Sequence, residues 1–69
     1  MPLTMARIGD QICIKRITGK DETRKFLERL GFVAGEFVTI VSTLGGSMIL
    51  NVKNARVALD EDMARRIMV

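Results

Sequence analysis

Apolar and polar residues alternate along several short segments of the chain, which is the pattern of strands with one buried face. Between Gln11 and Ile17, isoleucines occupy every second or third position and polar or small residues lie between them. Segments rich in β-branched and aromatic residues recur downstream. The pattern predicts strands over Gln11 to Ile17, Glu36 to Val41, Met48 to Val52, Arg56 to Leu59 and Ile67 to Val69.

One helical segment follows the first strand. Between residues 22 and 30, Phe26, Leu27 and Leu30 fall on one side of a helix and charged residues on the other. A helix this short is not stable alone in water, so its apolar side is expected to pack on a sheet.

Four residues are expected to shape caps and turns. Asp21 is predicted to cap the helix by accepting a hydrogen bond from a free backbone amide, and Gly31 to end it with a positive φ. Gly35 belongs to a turn before the second strand. Asp60 is predicted to cap a single helical turn over residues 61–64, just before the last strand.

The remaining strands are joined by short turns. Leu44 to Ser47 contains two glycines suited to a tight turn, and Lys53-Asn54 is a second turn signal. These elements predict a mainly β fold, a small β-barrel with one short helix inserted after the first strand and a helical turn before the last. A length of 69 residues allows one domain over residues 1–69.

Composition argues against an enzyme and against a metal or cofactor site. The chain has no His and a single Cys13, which has no visible general base and is expected to be a packed, inert side chain. The adjacent acids at 60–62 are better explained as a helix start than as a metal site, and the five scattered Met residues as core filling. The three Phe residues are expected at core or hinge positions.

The uncharged stretch from Phe37 to Val52 spans 16 residues, and a bilayer-spanning helix needs roughly 20. Because two glycines interrupt this stretch, it predicts a hairpin and not a membrane span. The first residues lack the basic flank and apolar run of a secretory signal, and the single Cys suits a reducing cytosol.

The tip of that hairpin carries no charge where exposed turns usually do. Thr43, Leu44, Gly45, Gly46 and Ser47 are therefore either an ordinary glycine-rich turn or a partner-binding segment. The sequence leaves both interpretations open.

A net charge of +3 and a pI near 9.6 raise two further possibilities. Small barrels bind single-stranded nucleic acid through basic grooves with stacking aromatic residues, but the bases of the helix alternate with acids here and no stacking residue is evident. Self-association through exposed strand edges is another alternative.

The ordered features together resemble the ferrous iron transport protein A (FeoA) family. The resemblance lies in the first strand, in Phe26-Leu27-Glu28-Arg29-Leu30-Gly31-Phe32, in residues 34–40 and in the closing residues 57–69. It runs from about residue 5 to the C-terminus. The family pattern usually has Pro where this chain has Ala34, which affects the stiffness of that turn.

The resemblance implies an SH3-like barrel in the bacterial cytosol. It also implies a role beside FeoB, the large membrane transporter for ferrous iron, which carries a cytosolic GTP-binding domain. On this basis the expected function is a non-enzymatic adaptor that binds the cytosolic part of FeoB and modulates its assembly or GTPase cycle, at most peripheral to the membrane. A small nucleic-acid-binding barrel is the alternative.

Overall fold

The computed structural model describes residues 1–69 and contains six strands, two α-helices and a short 3₁₀ helix. The 3₁₀ helix spans Leu3–Met5 and the α-helices are α1 (Asp21–Arg29) and α2 (Glu61–Ala64). The strands are β1 (Gln11–Cys13), β2 (Arg16–Ile17), β3 (Phe37–Leu44), β4 (Ser47–Val52), β5 (Ala55–Asp60) and β6 (Ile67–Met68).

The strands form two antiparallel sheets. The larger sheet has the order β1-β3-β4-β5, and β2 pairs with β6 in the smaller one. The hydrophobic core of the protein is a single cluster between these elements. It contains residues from the strands, from both α-helices and from the N-terminal segment. The buried members are Leu3, Ile14, Leu27, Phe32, Val38, Ile40, Met48, Leu50, Val52, Leu59, Ala64, Ile67 and Val69.

The predicted first strand is wrong as one element, because the chain changes sheets within it. The N–H of Ile14 donates to the carbonyl of Glu36 at 2.9 Å, and the next N–H, from Lys15, donates to the carbonyl of Met68 at 2.8 Å. Residues 11–13 therefore pair with β3 and residues 16–17 with β6. The two-residue alternation breaks at this crossing, because Lys15 and Arg16 are both exposed between the buried Ile14 and the half-buried Ile17. The pattern indicates an irregularity there but does not specify the new partner strand.

The predicted capping role of Asp21 is also wrong. The N-cap of α1 is Lys20, no side chain caps the helix, and Asp21 is the first helical residue. Its carboxylate instead forms an exposed ion pair with Arg24. An acid in the first turn still interacts favourably with the helix dipole, which is why the residue fits this position without capping.

The apolar side of α1 is narrower than the sequence predicts. Leu27 is fully buried and Leu30 partly buried, whereas Phe26 is 41% exposed. Phe26 precedes Leu27 by one residue, which rotates it by about 100° away from the core-facing direction. Only one of the three Phe residues, Phe32, reaches the core.

The end of α1 has the geometry of a Schellman motif. Gly31 has φ +106°, its N–H donates to the carbonyl of Glu28 at 2.9 Å, and the N–H of Phe32 donates to the carbonyl of Leu27 at 3.0 Å. Leu27 and Phe32 are both fully buried members of the same core cluster, as the apolar positions flanking this motif commonly are. The motif turns the chain from the helix towards β3.

The second half of the chain follows the predicted pattern closely. Burial alternates strictly along β4, with Met48, Leu50 and Val52 inward. Asp60 is the N-cap of α2, and its carboxylate accepts a hydrogen bond from the N–H of Met63 at 2.9 Å. Gly35, with φ +89°, lies in the turn before β3.

The N-terminal residues, for which the pattern predicts no element, close the structure beside β6. Met1 and Val69 exchange two hydrogen bonds, the N-terminal amine to the Val69 carbonyl at 2.8 Å and the Val69 N–H to the Met1 carbonyl at 2.7 Å. Pro2 forms a bridge with Met68, and Leu3 is fully buried. Neither α-helix is long and apolar enough to cross a bilayer.

Candidate functional site

The predicted partner-binding segment lies at the end of the β3–β4 hairpin. Leu44 pairs with Ser47, and the two residues of the turn between them, Gly45 and Gly46, have φ values of +49° and +80°. Positive φ at both central positions is the type I′ arrangement, whose twist matches that of the flanking strands. The tip is therefore a tight extension of the hairpin.

A hydrogen bond anchors this tip to the rest of the fold. The carbonyl of Gly46 accepts from the N–H of Glu61 at 2.9 Å, which joins the turn to the first residue of α2. Ser47 also pairs with Asp60, the residue that caps α2. The turn is thus held in place by two elements, and a binding partner would meet it with little ordering cost.

The tip presents an apolar side chain to solvent. Leu44 is 73% exposed, the largest exposed fraction among the large hydrophobic residues. Thr43, Gly45 and Gly46 are exposed and Ser47 is half-buried, so the five predicted residues form one uncharged surface, the hairpin tip. Its chemistry suits contact with an apolar pocket on another molecule.

A second surface, which the sequence did not reveal, crosses the outer face of the larger sheet. The strand registers place Gln11, Thr39, Asn51 and Arg56 side by side in one row across all four strands. The Nε–H of Arg56 donates to Oδ1 of Asn51 at 3.4 Å. The row forms the floor of the outer groove, a cavity of about 680 Å³. Its lining is Gln11, Glu36, Phe37, Thr39, Asn51, Val52, Lys53, Asn54 and Arg56.

The outer groove is polar apart from Phe37 and Val52, and it carries two cations and one acid. Phe37 is 55% exposed there, so its predicted core or hinge position is wrong. The period-two pattern of β3 contains the signal for this, because Val38 and Ile40 are buried and Phe37 is therefore on the opposite face. A large aromatic side chain in that position is available to a ligand.

The acids at 60–62 and Cys13 are not brought together with other ligating groups. No group of three or more His, Cys, Asp or Glu residues is close enough to hold a metal ion. Cys13 is a half-buried free thiol whose Sγ lies 3.7 Å from the Ile14 carbonyl. Asp62 forms an exposed ion pair with Arg65 at 3.1 Å.

Comparison with solved structures places the fold among SH3-like domains. A crystal structure described as an iron uptake regulatory protein, FeoA, is 28% identical with a TM-score of 0.90, covering 99% of this chain and 90% of that one. The zinc complex of Stenotrophomonas maltophilia FeoA, described as a prokaryotic SH3 domain protein and candidate ferrous iron transport activating factor, is 27% identical with a TM-score of 0.87. The match covers 100% of this chain and 88% of that one.

A manganese-dependent transcriptional repressor has the same fold at 18% identity, with a TM-score of 0.88 over 97% of this chain and 39% of its own. That likeness concerns the fold alone. Comparison with curated proteins gave no match. The sequence model of the FeoA domain matches residues 1–69, the whole chain. The SH3-like architecture and this match agree with the resemblance seen in the sequence, and the chain belongs to the FeoA family.

Proposed function

We propose that this protein is a non-enzymatic, single-domain accessory factor of ferrous iron uptake. In this role it binds a cytosolic part of a FeoB-type ferrous iron transporter and modulates the assembly or GTPase cycle of that transporter. Membership of the FeoA family supports the connection with ferrous iron transport. The description of the Stenotrophomonas maltophilia relative as a candidate activating factor for that transport supports the regulatory role. The protein would act in the cytoplasm, at the inner face of the membrane, through its partner.

The observation that carries the docking part of this proposal is the exposure of Leu44 on an anchored turn. Burying a leucine side chain in a partner's pocket contributes about 1.5–3 kcal/mol. Because the Gly46–Glu61 hydrogen bond already orders the turn, little of that gain is offset by conformational entropy. The hairpin tip is therefore the surface expected to contact the transporter.

The test is a calorimetric titration against the soluble cytosolic domains of the transporter from the same organism, first with GDP and then with a GTP analogue. We expect saturable binding that depends on the nucleotide. Leu44→Asp should weaken it at least tenfold, since a charge would enter the apolar contact. The midpoint of thermal unfolding should change little because Leu44 packs on nothing in the core.

Met5→Asp is the matched control, because Met5 is a comparably exposed apolar residue, 68% exposed, in the 3₁₀ helix and not in the hairpin. It should bind like the unaltered protein. Equal binding by Leu44→Asp would reject the hairpin tip as the docking surface. No heat at high micromolar concentration with any nucleotide would reject an interaction with the cytosolic domains.

A second candidate function is binding of single-stranded nucleic acid in the outer groove. It is favoured by the exposed Phe37 ring beside Lys53 and Arg56, since such surfaces stack a base and neutralise phosphates. A filter-binding titration with RNA and DNA at two salt concentrations tests it. Micromolar binding with a steep salt dependence, lost in Phe37→Ala, would favour this function over the adaptor.

A further inference from the structure

One edge of the larger sheet is unpaired along its whole length. The sheet ends at β5, and β4 is its only strand partner. The β4–β5 register runs from Val52–Ala55 to Ser47–Asp60 without a shift, so β5 contains no bulge. It also contains no proline and no lysine, the residues that natural edge strands often use to prevent pairing.

The turn before β5 determines which backbone groups face this open edge. Lys53 and Asn54 have φ values of +49° and +63°, which makes a two-residue type I′ turn with Val52 and Ala55 as its hydrogen-bonded pair. Hydrogen-bonded and non-hydrogen-bonded pairs alternate along antiparallel strands. Backbone groups at 55, 57 and 59 therefore point to β4, and those at 56, 58 and 60 point away.

These outward groups are free to accept a further strand. The backbone hydrogen bonds in turns, loops and caps include none from the N–H or C=O of Arg56 or Ala58. The Asp60 N–H donates none of those bonds either. The Asp60 carbonyl is not free, because Asp60 is the N-cap of α2 and an N-cap carbonyl accepts the first hydrogen bond of its helix. Arg56, Ala58 and Asp60 are exposed, and the small Ala58 lies at the centre.

The charges along the edge are divided between its two ends. Lys53 and Arg56 lie at the start of β5, and Asp60, Glu61 and Asp62 lie at its end. An antiparallel copy of the same strand, rotated about Ala58, brings each basic end against an acidic end. Such an edge is complementary to itself, which is the property that a two-fold symmetric interface requires.

We propose that β5 pairs antiparallel with β5 of a second copy of this chain, around a two-fold axis at Ala58. The two Ala58 residues exchange backbone hydrogen bonds, and each Asp60 N–H donates to the Arg56 carbonyl of the other copy. Arg56 then lies opposite Asp60, and the Lys53-Asn54 turn lies opposite the start of α2. The two larger sheets become one continuous sheet.

The dimer is expected to be weak and sensitive to salt. A single pair of short strands buries less than the roughly 1,200 Å² typical of stable interfaces, so dissociation in the high micromolar range is expected. The charges are exposed on the outer face, so raising the salt concentration from about 0.05 M to 0.5 M should weaken the dimer several-fold.

The test is sedimentation equilibrium between about 20 µM and 1 mM at these two salt concentrations. Two charge-reversal variants provide the decisive comparison, and both keep the Arg56–Asp60 pairing. Lys53→Glu reverses the charge of the turn before β5, and Glu61→Lys with Asp62→Lys reverses the charge at the start of α2. In each variant alone, residue 53 of one copy and residues 61–62 of the other carry the same sign of charge, so each variant alone should remain largely monomeric. Their equimolar mixture should form a dimer, at least tenfold tighter than either variant alone.

Two further variants separate this pairing from other modes of association. Ala58→Pro removes the central N–H, and an edge strand tolerates proline where its N–H faces solvent, so this variant should lose the dimer and keep its thermal midpoint within a few degrees. Lys15→Glu with Arg16→Glu reverses the same amount of charge beside the smaller sheet and should dimerise as before.

A monomer at 1 mM in low salt would overturn the inference. So would a dimer that survives Ala58→Pro, or a mixture of the charge variants that stays monomeric. Because no transporter is present, these outcomes are independent of the proposed function.

Discussion

Replacing Gly31 with alanine measures the energy of the backbone turn that ends α1. An added Cβ would lie 3.5 Å from Cδ of Lys53 and 3.7 Å from Cγ1 of Val52, which are ordinary van der Waals distances. The site therefore has room for the methyl group. The expected cost comes from φ +106°, a conformation that side chains other than glycine's rarely adopt.

The magnitude follows from two opposing effects. Holding an alanine in a disfavoured positive-φ conformation costs about 1–3 kcal/mol. Alanine also restricts the unfolded chain, which returns about 0.4–1 kcal/mol. With both effects at the middle of their ranges, the free energy of unfolding should fall by about 1–2 kcal/mol, out of about 3–10 kcal/mol for a chain of this length. The thermal midpoint should fall by about 5–15 °C.

Urea and thermal unfolding followed by circular dichroism are the appropriate assays, because the chain has no Trp or Tyr to report by fluorescence. Gly19→Ala is the matched comparison: its φ is +109°, its nearest neighbour would also lie at 3.5 Å, and it is exposed. Similar losses at the two sites would identify backbone strain as the cause. Unchanged stability of Gly31→Ala would refute the reasoning, and a much larger loss than at Gly19 would assign the cost to packing instead.

Two further sets of substitutions test the caps and the core. Asp60→Ala should lower the unfolding free energy by about 1 kcal/mol through loss of the bond to the Met63 N–H, whereas Asp21→Ala should cost about 0–1 kcal/mol, since its exposed pair with Arg24 is weak. Equal losses in urea titrations would contradict the different roles of these acids. Phe32→Ala should cost about 3–5 kcal/mol because the ring is fully buried, leaving the variant largely unfolded by circular dichroism at 37 °C; a well-folded variant would contradict its place in the core.

The outer groove and the hairpin tip divide the surface into two regions with different chemistry. The hairpin tip is uncharged and apolar at Leu44, whereas the outer groove is polar, with Arg56 and Lys53 near Phe37. Arg56 also belongs to the β5 edge, so pairing of two β5 strands would bring the outer groove of each copy next to that of the other. The hairpin tip and the β5 edge are distinguished experimentally, since Leu44→Asp leaves the charges of the edge unchanged.

Features that depend on a few neighbouring residues could be predicted from the sequence. Strict alternation in β4 follows from the two-residue period of a strand with one buried face. The capping of α2 by Asp60 depends on a side chain and an amide three residues later, and the turn at Gly31 on the residue's own φ preference. Each of these interactions joins residues within a few positions of each other, so a short stretch of sequence is enough to predict it.

Features that depend on the choice of partner were decided by tertiary structure. The division of residues 11–17 between two sheets arises because Glu36 and Met68 offer carbonyls to successive amides. The exposed pair Lys15-Arg16 breaks the alternation there, but it does not specify which strand each segment joins. The packing of Leu3 and the pairing of Met1 with Val69 join residues that are distant along the chain. The outer groove and the open β5 edge likewise exist only once strand order is established, because a sequence pattern distinguishes the two faces of a strand but not its neighbours.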